Sequence, residues 1–81
     1  MNVSVKLFAA LKQFAGKDCL DVEVCEGALI GDLRTKMIQQ FPELAATFSH
    51  SMFAVDTDYV DDKVQISPDA EIACIPPVSG G

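Results

Sequence analysis

A single segment of this chain, Ile30 to Gln40, repeats its apolar residues at helical spacing, while the segments around it alternate with period two. Ile30, Leu33, Met37 and Phe41 share one face, and Asp32, Lys36 and Gln39 lie opposite. One amphipathic helix has one stripe to bury, and each alternating strand has one apolar face to cover. They can satisfy each other only by sharing a core. Asn2 to Ala9 sends Val3, Val5 and Leu7 to one side and Asn2, Ser4, Lys6 and Phe8 to the other. Asp18 to Cys25 repeats the pattern, with Leu20, Val22 and Val24 inward and Asp21 and Glu23 outward. These two strands predict a first β-hairpin, interrupted by a short helical turn over Ala10 to Ala15 that stops at Gly16.

Glu26-Gly27 ends the second strand, and Pro42 stops the helix, with a further short turn expected from Pro42 to Phe48. Met52 to Val55 reads as a strand. Asp56 to Lys63 reads as a polar turn or loop in which Tyr59 and Val60 can extend. Ser67-Pro68-Asp69 marks a turn before a last strand, Glu71 to Ile75, with Ile72 and Cys74 inward. The order β-β-α-β-β predicts an α+β fold, a mixed four- or five-stranded sheet with the helix across one face. Residues 1–75 form this domain, and residues 76–81 form an extended tail.

Eighty-one residues make one small domain, which buries only about 60–65% of its unfolded surface. A ligand cavity of ordinary size, about 300–1,000 Å³, would consume its core. Function is therefore expected on the surface or in the tail. A net charge of −6 and six scattered basic residues argue against nucleic acid, which needs clustered cations, and fit a basic protein partner or simple solubility. Cys19, Cys25 and Cys74 are odd in number and lack CxxC spacing, which gives neither a disulfide framework nor a zinc pattern. Cys25 falls on the polar face of its strand and is the candidate exposed thiol; Cys19 and Cys74 read as small core residues. With no signal peptide and no apolar run near the ~20 residues of a membrane span, the expected compartment is the cytoplasm.

The end of the sequence is unusual. Ile75-Pro76-Pro77-Val78-Ser79 leads into Gly80-Gly81, a pair that chance places at the end of only about 0.5% of chains. Two prolines hold the backbone extended, and two glycines carry no side chain to block a narrow channel. Such a tail suits insertion into another protein's active site; the plain alternative is a frayed terminus or a cloning remnant. Phe8 and Ile75 are apolar on the solvent faces of the first and last strands, and together predict an exposed contact patch unless a loop covers them. Asp56, Asp58, Asp61 and Asp62 crowd one stretch, but Asp61 and Ser67 occupy the Gly and Glu positions of an EF-hand, so a solvated loop is expected. His50 has no triad companion and reads as a loop residue. Gly27-Ala28-Leu29-Ile30-Gly31 lacks the lysine of a phosphate loop.

Val5-Lys6-Leu7-Phe8-Ala9, Gly31-Asp32-Leu33-Arg34, Met52-Phe53-Ala54-Val55 and, above all, Glu71 to Gly81 resemble the small sulfur-carrier subunits of molybdopterin synthase. These form a branch of the MoaD/ThiS-like, ubiquitin-fold (β-grasp) family. The resemblance spans the full length, and Pro-Pro-Val-Ser-Gly-Gly is its most specific part. It implies that Gly81 is the site of chemistry and Gly80 its unobstructed neighbour. An E1-like partner would use ATP to adenylate Gly81, and a persulfide donor system would convert it to a thiocarboxylate. In the large catalytic subunit the sulfur would attack cyclic pyranopterin monophosphate, building the molybdopterin dithiolene. Phe8, Tyr59 and Ile75 would pack on that large subunit, with Pro76, Pro77, Val78 and Ser79 entering it, in a heterotetramer of two small and two large subunits. No cofactor would be bound directly, and neither nucleic acid nor membrane would be a partner.

Three residue choices depart from the family pattern: Asp56 for Asn, Leu29 for a helix-capping Thr, and Pro68-Asp69-Ala70 for Asp-Gly-Asp. The missing cap alone is expected to cost about 1 kcal/mol. Other readings of the same residues are a carrier for thiamin, cysteine or tRNA thiolation, a ubiquitin-like modifier, and a non-catalytic binding domain.

Overall fold

The computed structural model describes residues 1–8 and 10–77. Its strands are β1 (Asn2–Leu7), β2 (Cys19–Glu23), β3 (Met52–Val55), β4 (Asp58–Val60) and β5 (Ile72–Ile75). Its helices are α1 (Ala10–Ala15), α2 (Ile30–Gln40) and α3 (Ala45–His50), with a 3-10 turn at Pro42–Leu44. The five strands form one mixed sheet in the order β2-β1-β5-β3-β4. β1 pairs antiparallel with β2 and parallel with β5, which in turn runs antiparallel to β3.

The period-two pattern fixes the faces as expected. Val3, Val5, Leu7, Leu20 and Val22 are all buried, and they meet Ile30, Leu33 and Met37 of α2 in the same core. Leu7, Cys74, Phe53 and Val60 follow one another across four strands of the inner face. Fully burying such a side chain contributes about 1.5–3 kcal/mol, so the inner face and α2 dominate stability.

Leu29 offers no oxygen to cap α2, yet the helix start is not left bare. The Leu29 N–H donates to the Asp32 carboxylate at 2.9 Å, and the Ile30 and Gly31 N–H groups donate to the carbonyls of Val64 and Asp62, each at 2.9 Å. The neighbouring loop therefore satisfies two N–H groups at the helix start, although no N-cap side chain bonds to it. Gly31 permits this approach, because a Cβ there would stand 3.3 Å from both the Cβ and the carbonyl oxygen of Asp62.

Three expectations need correction. Pro42 to Phe48 is more than a short turn: after the 3-10 segment the chain forms α3, and His50 is its last residue rather than part of a loop. The His50 Nδ1 lies 2.9 Å from the Ala46 carbonyl, which fixes a proton on that nitrogen. Cys19 is exposed, not a core residue, because β2 alternation turns it to the side of Asp21. The aspartate-rich loop is solvated as expected, with all four aspartates exposed, and Asp56, Asp61 and Asp62 also accept defined hydrogen bonds. Pro68-Asp69-Ala70 still supports the turn, closed by the Ala70 N–H on the Ser67 carbonyl at 3.1 Å.

Candidate functional site

The outer face of the sheet is the one turned away from α2, and the pairing register puts a defined row across it. Cys19, Lys6, Ala73, Ala54 and Tyr59 are successive neighbours through all five strands. Ala73 and Ala54 sit side by side on the central strands, where their small side chains leave a trough of about 590 Å³. Phe8, Tyr59, Ile75 and Lys6 are among the residues that wall it. Phe8 is 40% exposed and Tyr59 62% exposed, so this face presents two aromatic rings to solvent. The Lys6 ammonium lies 5.4 Å from the centre of the Phe8 ring, close enough for the ring's negative face to attract it.

Phe8, Tyr59 and Ile75 thus fall on one face, although they come from three separate places in the sequence. Ile75 is half-buried at the end of β5, and the chain passes from it directly into Pro76, half-buried, and Pro77, exposed. The root of the tail therefore leaves from a central strand at one end of the apolar trough. Val78, Ser79, Gly80 and Gly81 lie outside the described residues.

Two hairpin residues hold the far edge of this face. Asp56 (φ 50°) and Thr57 (φ 75°) join β3 to β4 with positive φ at both positions, as a type I′ turn requires. The Asp56 N–H donates to the Glu71 carbonyl at 2.9 Å, and the Glu71 N–H donates to the Asp56 carboxylate at 3.0 Å. An accepting carboxylate thus ties the turn to the start of β5.

Arg34 is the residue that sequence reasoning did not single out. Its guanidinium donates to both Asp62 carboxylate oxygens at 2.8 and 3.2 Å, and to the carbonyls of Phe48, Ser49 and Ser51. It also stacks 4.9 Å from the centre of the Phe53 ring. Arg34 joins α2, the end of α3, the start of β3 and the capping loop, so it supports the sheet from the inner side. Its position on α2 beside Leu33, facing inward with no apolar character, is the signal that was available.

The thiols divide cleanly. Cys19 and Cys25 are exposed, whereas Cys74 is buried, and burial pushes its thiol up to about 11 despite opposing pulls from the Ser51 hydroxyl and Arg34. It is therefore a protonated, unreactive core residue at neutral pH. Among the described residues no group of three or more His, Cys, Asp or Glu gathers to hold a metal ion, and no helix is long and apolar enough to cross a membrane.

The ThiS family pattern matches residues 5–81. The chain belongs to the ThiS family. Its relatives include the molybdopterin synthase sulfur carrier subunit of Dictyostelium discoideum, 34% identical, covering 95% of this chain and 93% of the relative. The protein of the same name from Chlamydomonas reinhardtii is also 34% identical, over the whole of both chains. Among solved structures, SAMP1 of Haloferax volcanii, a small archaeal modifier protein, superposes with a TM-score of 0.83 at 26% identity, and all of both chains is covered. These similarities agree with the ubiquitin-like β-grasp architecture of the ThiS-family sheet and helix described above.

Proposed function

We infer that this ThiS-family chain is the sulfur carrier subunit of molybdopterin synthase, with no active site of its own. The observation that carries the reading is full-length similarity to curated sulfur carrier subunits, in a chain whose central strand β5 runs into Pro76-Pro77 and then Val78-Ser79-Gly80-Gly81. In this reading residues 1–75 are a rigid holder and residues 76–81 are the arm that enters its partners.

A carboxylate is a poor electrophile, so the Gly81 carboxyl group first attacks the α-phosphorus of ATP in an E1-like enzyme, releasing pyrophosphate. The terminal sulfur of a donor persulfide then displaces AMP from the acyl carbon. Cleavage of the resulting acyl disulfide by a thiol leaves the thiocarboxylate at Gly81. This soft, ionised nucleophile needs no base from the carrier itself. In the large catalytic subunit its sulfur bonds to a side-chain carbon of cyclic pyranopterin monophosphate as an oxygen substituent leaves that carbon. Water then cleaves the bond between sulfur and the Gly81 acyl carbon, restoring the carboxylate, and two such transfers complete the dithiolene. The carrier's contribution is proximity: the apolar face docks, and the tail holds sulfur beside the bound precursor. Phe8, Tyr59 and Ile75 form the docking surface, and Gly80 keeps the approach to Gly81 clear. The working assembly is a heterotetramer of two small and two large subunits, and its compartment is the cytoplasm.

One observation favours a second reading. The similarity to SAMP1, a modifier protein, also fits a ubiquitin-like chain whose Gly81 ends in an isopeptide bond to lysines. Intact-mass analysis of the C-terminal peptide, purified from the native host, separates the two. A mass increased by one oxygen-to-sulfur exchange supports the carrier, whereas a peptide branched onto target lysines, with no thiocarboxylate, overturns it.

A further inference from the structure

We propose that Met52 is a third apolar anchor for the large catalytic subunit, forming with Phe8 and Ile75 a collar around the root of the tail. The proposal rests on the sulfur-carrier reading and adds to it a residue that the sequence places in a strand but to which it assigns no contact role. Met52 opens β3, and its Cα partner across the antiparallel pairing is Ile75, the last residue of β5. Antiparallel partners share a face, so Met52 stands on the outer side with Ile75. The sheet order β1-β5-β3 puts Phe8, just past the end of β1, on the other flank of Ile75. Pro76 leaves from the middle of this row.

Met52 is 51% exposed, while its neighbour Phe53 is fully buried. The inner face is thus already served by Phe53, and the Met52 thioether is left half in solvent. A long, unbranched and polarisable side chain adapts to the contour of a partner. Phe8 and Ile75, the strand partner of Met52, both line the apolar trough floored by Ala54 and Ala73, so a pocket that receives Pro76 from the end of β5 meets this row. This continuity commits the site to the subunit that receives the tail. The matching surface is an apolar ledge with a basic rim, since this chain carries a net charge of −6.

The test is calorimetric titration of the large subunit with full-length wild type, Met52→Leu, Met52→Gln, Met52→Ala and Phe8→Ala, with melting temperatures recorded for each. Met52→Ala and Met52→Gln are expected to raise Kd by about three- to tenfold at unchanged melting temperature, and Met52→Leu by no more than about twofold. If Phe8→Ala weakens binding while Met52→Ala and Met52→Gln bind like wild type, the Met52 anchor is refuted and the carrier reading stands. If Phe8→Ala also binds like wild type, the docking face itself is wrong. Two other outcomes also overturn the proposal: weakening confined to the activating enzyme, or a self-association in sedimentation that Met52→Ala abolishes.

Discussion

The two faces of the sheet are built from the same alternation but end in opposite environments. The inner face packs Leu7, Leu20, Phe53 and Ile72 against α2 and is closed to water. The outer face lifts Phe8, Met52 and Tyr59 into solvent at 40%, 51% and 62% exposure. Burial in the core accounts for the first set. The proposed docking on a partner would give the second set its use. The contrast separates residues one position apart, such as Leu7 from Phe8 and Phe53 from Met52.

The largest expected effect removes what the outer face is there to deliver. Deleting Gly81, or adding one residue after it, should abolish sulfur transfer in a reconstituted assay while the melting curve stays that of the wild type, since chain ends tolerate change structurally. Retained molybdopterin formation by the shortened chain would mean that the outer face serves some other tail chemistry.

The adjacent pair Leu7 and Phe8 gives the most direct comparison of the faces. Leu7→Ala should cost about 2–5 kcal/mol of stability in denaturant unfolding, with affinity for the large subunit per folded molecule unchanged. Phe8→Ala should do the reverse, weakening association by about 1–3 kcal/mol with little change in unfolding. A crossed result would invert the assignment of faces.

Thiol chemistry sharpens the comparison further. An alkylating reagent should label Cys19 and Cys25 on folded protein and reach Cys74 only on unfolding. The Cys74 thiol is raised in the folded state, so its contribution to stability is complete below its ordinary value of 9.0 and is lost as pH rises through about 11. Cys74→Ala should remove that alkaline slope, although it leaves a small cavity. Cys19→Ser and Cys25→Ser should both deliver sulfur at near wild-type rate, and loss of delivery by either folded variant would make a cysteine persulfide the carrier.

The smallest effect lies at the edge of the outer face. Thr57 is β-branched at φ 75°, a conformation glycine adopts without strain. Relief of about 1–2 kcal/mol of left-handed strain outweighs glycine's added chain entropy of about 0.5–1 kcal/mol, so Thr57→Gly should stabilise the hairpin slightly in denaturant unfolding. A loss of stability would show that Thr57 contributes packing to the outer trough.

Much of this was legible in the sequence because the dominant forces are periodic. The bounds of α2 and the faces of β1 and β2 follow directly from apolar spacing, and Phe8 and Ile75 were readable as apolar residues out of place. What escaped has no period. α3 buries Phe48 alone, and its polar residues turn back on its own backbone, Ser49 onto the Ala45 carbonyl and Ser51 onto the Thr47 carbonyl. β4 follows a turn without glycine, so the usual hairpin signal is missing. The contacts of Arg34 join segments up to 28 positions apart, and a single charged residue in a helix does not announce such partners. Met52 was legible as a strand residue, but its place beside Ile75 depends on a register that only the folded sheet defines.

The position of β5 has a consequence for how the molecule comes into being. Residues 72–75 lie between β1 and β3, so two strands synthesised earlier must wait for a later one before the sheet can close. The parallel match of Val5 with Ile72 spans nearly the whole chain, a long-range closure that is slow compared with local pairing. On the ribosome the β1–β2 hairpin can form early, but the finished body cannot exist without the strand that bears the arm. A chain broken off before Ile72 would therefore lack both the arm and the docking face, and could not occupy a partner as an empty competitor.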